Sequence, residues 1–291
     1  MTNHPIAQSA RFAITQLTWR SQLRAVGAIA WKNWLHFIRY PLNAIFSVVQ
    51  PLMWLTPIYF LGRSFQTDGV NAGFAGYTGT GDYMSFILIG SVLASYIGSV
   101  FWGIGFALKR EMDEGVMESN WLTPVPRFAF LVGQTISNLI TTTITNIGIL
   151  ALGWWLFGFT INGNLWQALA VVLPLLLALY GFGFAFAAVV LLMRDANMLV
   201  DVCDFLVSIF SGSQFPVQAL PYFLLPIALA LPLTYGFDVV RGLLIGSRTL
   251  LPIPYEIAIL LLFMAITVPG GYFIFRRVER RIKRLGTLGM H

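Results

Sequence analysis

Five stretches of this chain contain no Asp, Glu, Lys or Arg: Tyr40 to Gly62, Tyr83 to Leu108, Phe128 to Met193, Phe205 to Phe237 and Ile257 to Phe275. A helix needs roughly 20 mainly apolar residues to cross a bilayer, so each stretch can supply a span. The third is long enough for two. It breaks at "GFTINGNLW", where Gly158, Asn162, Gly163 and Asn164 bring turn chemistry in place of helix. Composition agrees: 57% of residues are hydrophobic, 10% are charged and the mean hydropathy is +0.74, whereas a soluble domain carries roughly 25% charged residues. The expected fold class is an all-α polytopic membrane protein with six transmembrane helices.

Sidedness follows from the cationic flanks. Of the 18 Lys and Arg residues, 15 fall on one side: Arg11, Arg20, Arg24, Lys32 and Arg39 before the first span, Lys109, Arg110 and Arg127 after the second, Arg194 after the fourth, and Arg276, Arg277, Arg280, Arg281, Lys283 and Arg284 after the last. Only Arg63, Arg241 and Arg248 fall on the other. The rule places both termini in the cytoplasm of a chain embedded in the plasma (inner) membrane. The first twenty residues lack a compact apolar core ending in a small-residue cleavage site, so the chain is expected to be kept whole. A net charge of +6 and a pI near 9.7 are accounted for by basic flanks meeting anionic lipid, and nucleic acid is not needed as a partner.

The sequence offers little for catalysis. Cys203 is the only cysteine, so no disulfide within the chain and no Cys-based metal site is expected. His4, His36 and His291 are far apart and form no zinc motif. Lys32, Lys109 and Lys283 follow Trp31, Leu108 and Ile282, so there is no Gly-Lys pair from which to build a phosphate-binding P-loop. No catalytic residue, metal or cofactor of its own is assigned to this chain.

The expected organisation is a cytoplasmic N-terminus with an interfacial helix over 1–40, a transmembrane domain over 41–275 and a basic tail over 276–291. In the interfacial helix Leu23, Val26, Gly27, Ala30, Trp34, Phe37 and Ile38 share one side. Arg20, Arg24, Lys32, His36 and Arg39 share the other, with Trp31 and Trp34 at headgroup level. Packing of this helix on a soluble partner is the alternative. Pro51 and Pro57 interrupt the first span. The second carries small residues at four-residue steps, Gly90, Ala94 and Gly98 beside Ser91, Ser95 and Ser99, which suits close helix packing. The third carries Gln134, Asn138, Thr142 and Asn146, a polar stripe that serves either interhelical hydrogen bonds, at roughly 0.6 to 2 kcal/mol each, or the wall of a transport path. Ser95, Tyr96, Ser99, Asn138, Thr142 and Ser208 are the candidates for lining a pathway. Asp201, Asp204, Ser208 and Ser211 share a face of the fifth span near the cytoplasmic mouth, where capping or solvation accounts for the carboxylates better than a proton relay. Over 216–248, prolines at 216, 221, 226 and 232 preclude a continuous spanning helix, yet the segment is strongly apolar until Asp238. Short re-entrant helices buried in protein or the outer leaflet reconcile the two, and Asp238 with Arg241 can pair on the second of them.

The loop 109–127 holds "EMDEGVMESNWLTPVPRF" with its neighbours, and places Glu111, Glu114, Glu118 and Trp121 on one helical face before Pro124 and Pro126 end the helix. An acidic, Trp-tipped cytoplasmic helix suits docking onto another protein. A solvated loop is the alternative.

These residues resemble a known family, the permease subunits of type-2 ABC (ATP-binding cassette) exporters. Glu114 and Gly115, Glu118, and Thr123, Pro124 and Val125 look like that family's cytoplasmic stretch. "QPLMWL" in the first span and "LPLTYGFDVVRGLLIG" near the end are similar to its Gln-Pro-Leu and Pro-Leu-Thr-Tyr patterns, with Leu231 standing where the family commonly has Asn. The resemblance implies six spans, an N-terminal elbow helix (Arg24, Trp31, Trp34, Arg39), a coupling helix contacting an ATPase (Glu111, Glu114, Gly115, Glu118, Trp121, Thr123, Pro124) and re-entrant helices before the last span. It implies two permease chains, as a homodimer or with a homologous permease, and separate nucleotide-binding subunits that hold ATP and Mg. The expected cargo is hydrophobic or amphipathic, a drug or lipid-like molecule, with polysaccharide or glycolipid as the alternative. An ion-coupled secondary transporter and a membrane-embedded lipid transferase are the rivals, and both lack their usual groups here: ionisable residues at the midplane for the first, a nucleophile or metal cluster for the second.

Overall fold

The computed structural model describes residues 19–66, 71–106, 127–159, 161, 163–193 and 196–285. Every regular element among them is helical. An N-terminal helix α1 (Trp19–Arg39) leads through Tyr40 into α2 (Pro41–Ser64), which begins on a proline and runs on through Pro51 and Pro57. Proline fits a first turn because its missing N–H has no intrahelical acceptor there. A short helix α3 (Ala72–Thr78) is capped by the Asn71 side chain and closes on Gly79 at φ 70°. Helix α4 (Tyr83–Gly98) continues without a break into a π-helical segment, Ser99–Gly105. Helix α5 (Arg127–Phe157) and α6 (Leu165–Val190) flank the expected turn, where Gly158 takes φ 64° and Asn164 caps α6 by accepting from Trp166 and Gln167 N–H.

The last third departs from regular spanning helix. Helix α7 (Asn197–Phe210) has 14 residues and stops before Gly212, which sits at φ 72°. At 1.5 Å per residue it is about 21 Å long, short of a hydrocarbon core of about 30 Å. A single 3₁₀ turn (Val217–Ala219), α8 (Leu225–Ala230) and α9 (Pro232–Ile245) follow, and α10 (Ile253–Leu285) closes the chain. The helices thus break where the prolines had indicated. Five helices among the described residues are long and apolar enough to cross a membrane, namely α2, α4 with its π-helical extension, α5, α6 and α10. The fifth predicted span is represented by α7, which ends before the left-handed Gly212 and falls short of a full crossing.

Helices α4, α6, α9 and α10 enclose the main core, in which Val100, Phe101, Ile104, Leu179 and Phe237 are almost wholly shielded. Helices α6 and α10 form the most extensive pair. They touch backbone to backbone where Gly271 faces the Gly181 carbonyl, and a Cβ on Gly181 would lie 2.7 Å from the Val268 nitrogen. Small residues permit such an approach in lipid, where apolar burial gives no drive between helices. Away from such crossings the outer helices are open: 11% of the apolar window is buried in α2 as in α10, and Phe46, Met53, Trp54 and Phe60 of α2 face outward.

Candidate functional site

Helix α1 lies along α5. Gly133 lets it approach, since a Cβ there would sit 2.9 Å from Ile29 Cβ and 3.1 Å from the Val26 carbonyl oxygen. Asn33 Nδ2 donates to Gln134 Oε1 at 2.7 Å, and Gln134 Nε2 donates to Asn138 Oδ1 at 3.3 Å. The face α1 turns inward therefore includes Asn33, while Leu23, Trp31 and Ile38 of the predicted apolar and headgroup sides stay exposed. Trp34 is half-buried and stacks on Phe37 at 5.8 Å, and Arg24 and Arg39 are exposed.

An open groove of about 650 Å³ runs between these helices. Lys32, His36, Arg39 and Asn43 line its α1–α2 side, and Gln134, Ser137, Asn138 and Thr141 line α5. Asn138 presses against Gly103 of the π-helical segment, and its Nδ2 is buried without an acceptor. A buried donor left unpaired costs roughly 1 to 3 kcal/mol, and the Ser99, Tyr180, Ser211 and Ser247 hydroxyls and Glu256 Oε2 are buried without a partner as well.

The other candidates for lining a pathway lie elsewhere. Ser95 donates to Asn146 Oδ1 at 2.8 Å, Asn146 Nδ2 donates to the Val92 carbonyl at 3.2 Å, and the Tyr96 and Thr143 hydroxyls are 2.9 Å apart. These groups bond α4 to α5. The Ser99 hydroxyl is buried and unpaired, and Thr142 is half-buried. Ser208 sits on α7 beside Asp204, whose carboxylate oxygens lie within reach of Trp102 and 3.9 Å from where a Cβ on Gly98 would stand. The six candidates thus divide among a groove, a helix interface and the α7 contact. The predicted ATPase-contact residues Glu111, Glu114, Gly115, Glu118, Trp121, Thr123 and Pro124 lie outside the described residues.

A second polar assembly sits where α9 meets the α9–α10 loop. Arg241, 2% exposed, donates from Nε to the Phe86 carbonyl at 3.1 Å, from Nη1 to Gly212 at 2.7 Å and from Nη2 to Ser213 at 2.6 Å. Its guanidinium carbon lies 3.6 Å from the centroid of the Phe86 ring, a desolvated cation–π contact. Gly90 makes room for this side chain, because a Cβ there would strike the Ser213 carbonyl and Nη2. Asp238 accepts from Leu250 N–H at 2.6 Å and Glu256, fully buried, from Leu251 N–H at 2.7 Å. The expected Asp238–Arg241 pair is therefore looser than a direct ion pair. Each group takes backbone partners, and they interact only as neighbouring opposite charges. Leu231 offers no side-chain cap to α9, and Thr234 and Tyr235 donate instead to the Ala228 and Leu229 carbonyls at 2.7 and 2.9 Å, which ties α9 to α8.

Glu256 was not singled out from the sequence. Its signal is a lone carboxylate at the edge of the final charge-free stretch. The groove's Asn33, Asn43 and Ser137 carry no comparable mark.

The sequence model of the ABC-2 type transporter family matches residues 24–245, from α1 through α9. This chain belongs to that family. Among relatives of this ABC-2 chain, the probable multidrug ABC transporter permease YbhR of Escherichia coli K12 is 22% identical over 196 residues, covering 67% of this chain and 53% of the relative. The probable doxorubicin resistance ABC transporter permease protein DrrC of Mycobacterium tuberculosis H37Rv is 26% identical over 167 residues, 55% of this chain and 57% of the relative. The ABC-2 chain spans about half the length of the relatives it matches. Family and helices together make it a multi-pass membrane protein of the ABC permease type.

Proposed function

We propose that this chain is the membrane-spanning subunit of an ATP-driven exporter, acting as a dimer with separate ATPase subunits and moving a hydrophobic or amphipathic molecule. The observation that carries the reading is the family match from α1 through α9. Support for the cargo class comes from relatives described as multidrug and doxorubicin resistance permeases, and from the aromatic content of 15%. In this reading α1 is the elbow helix, both termini are cytoplasmic, and the loop 109–127 is the coupling contact, with Glu111, Glu114, Gly115, Glu118, Trp121, Thr123 and Pro124 meeting the ATPase. Closure of the ATPase pair on Mg–ATP would push on this loop and on α1, tilting the spans that follow.

Native mass spectrometry of the complex gently purified from its host tests the reading. Two copies with two P-loop ATPase subunits are expected, and repeated isolation without an ATPase under conditions that preserve such complexes would overturn it. A finer test is Glu114→Arg with Glu118→Arg. Coupling through the loop requires these changes to abolish cargo-stimulated ATPase activity or assembly, and wild-type behaviour of both would remove the loop from the mechanism.

A further inference from the structure

We propose that the groove between α1 and α5 binds the phosphate of an anionic membrane amphiphile. The proposal stands on the groove itself and holds whatever the cargo of the transporter. Lys32, Arg39 and His36 line one wall, and no carboxylate lines any part of the groove among the described residues. Charge alone would suit any anion. The opposite wall adds neutral polar side chains, Gln134, Ser137 and Thr141, that can share an oxygen with the cations. Phosphate offers several charged acceptor oxygens, which can take Lys32 and Arg39 together.

The surroundings choose the amphiphile over a free ion. Phe37, Tyr40 and Phe130 line the same groove and offer an apolar wall beside the polar one. Helix α1 leaves Leu23, Trp31 and Ile38 exposed next to its cations, the combination of a helix lying at headgroup depth. A groove at that depth opens onto lipid phosphates with their acyl chains attached. A zwitterionic headgroup would bring a quaternary ammonium to a wall that has cations and no carboxylate, so anionic headgroups are favoured.

The test uses the full-length chain in neutral detergent, with bound lipid counted by native mass spectrometry. The probes are short-chain phosphatidic acid, short-chain phosphatidylcholine and inorganic phosphate. Phosphatidic acid is expected to bind at least about tenfold more tightly than phosphatidylcholine, and Lys32→Ala with Arg39→Ala to weaken it about tenfold. Arg39→Lys restores most of the binding if charge is the cause, and Arg277→Ala, an exposed cation on α10 outside the groove, leaves it unchanged. Equal binding of the two lipids, undiminished binding by the double variant, or an equal loss with Arg277→Ala would overturn the site. Displacement of the lipid by inorganic phosphate at the same concentration would overturn the amphiphile and leave a soluble anion as the ligand.

Discussion

The two polar regions of this molecule are built in opposite ways. Around Arg241, all three guanidinium nitrogens donate to carbonyls, Asp238 and Glu256 hold consecutive loop amides, and Gly90 clears the space. At the groove beside α1 the cations are exposed, and Asn138 keeps a donor with nothing to meet. The first arrangement fixes a broken stretch of chain, since irregular backbone at membrane depth persists only when its polar groups are satisfied inside the protein. The second leaves its basic side chains open to a partner from outside the chain. Polarity within a membrane bundle therefore says little until the partners are counted.

Substitutions can push each region toward the other's character. The largest effect is expected from Arg241→Met, which strips three carbonyls of their donor and removes the positive neighbour of the half-buried Asp238 carboxyl. A loss of about 4 kcal/mol, or failure to assemble, should appear in thermal unfolding in detergent. Gly90→Val drives a side chain into the Ser213 carbonyl and the guanidinium and is expected to cost about 3 kcal/mol by the same measurement. Asn146→Ala breaks bonds to Ser95 and the Val92 carbonyl and should cost about 1 to 2 kcal/mol. Asn138→Leu, two turns away on the same stripe, is expected to change stability by less than about 0.5 kcal/mol, because removing a donor that was never paired offsets the loss of the 3.3 Å bond from Gln134. Equal losses for Asn146 and Asn138 would erase the contrast between the interface and the groove.

Much of the helical framework was legible because charge-free stretches in lipid leave the backbone few options. The turn at Gly158 to Asn164 and the breaks at Pro226 and Pro232 follow from local chemistry that neighbours hardly alter. The polar stripe of α5 was visible as well, but its division was not: Asn146 and Asn138 are two turns apart on one helix, and only the positions of Ser95 and Gly103 decide their fates. Arg241 was visible as a partner for Asp238 because i, i+3 spacing is local. Its actual acceptors, the carbonyls of Phe86, Gly212 and Ser213, come from segments 155, 29 and 28 residues away, and no periodicity encodes them. The length of α7 was not legible for a related reason, since hydropathy continues past Gly212 while the helix does not.

The glycine crossing of α6 and α10 has a mechanical consequence. At 1.5 Å per residue, α10 reaches about 22 Å from Gly271 back to Glu256 and about 18 Å forward to Lys283, so the contact divides the rod into nearly equal arms. With Gly271 seated on the Gly181 backbone, a tilt of α10 about that fulcrum carries the carboxylate end and the basic end through opposite displacements of similar size. A movement begun among the arginines of the tail would then reach the loop amides of Leu250 and Leu251 at nearly full amplitude.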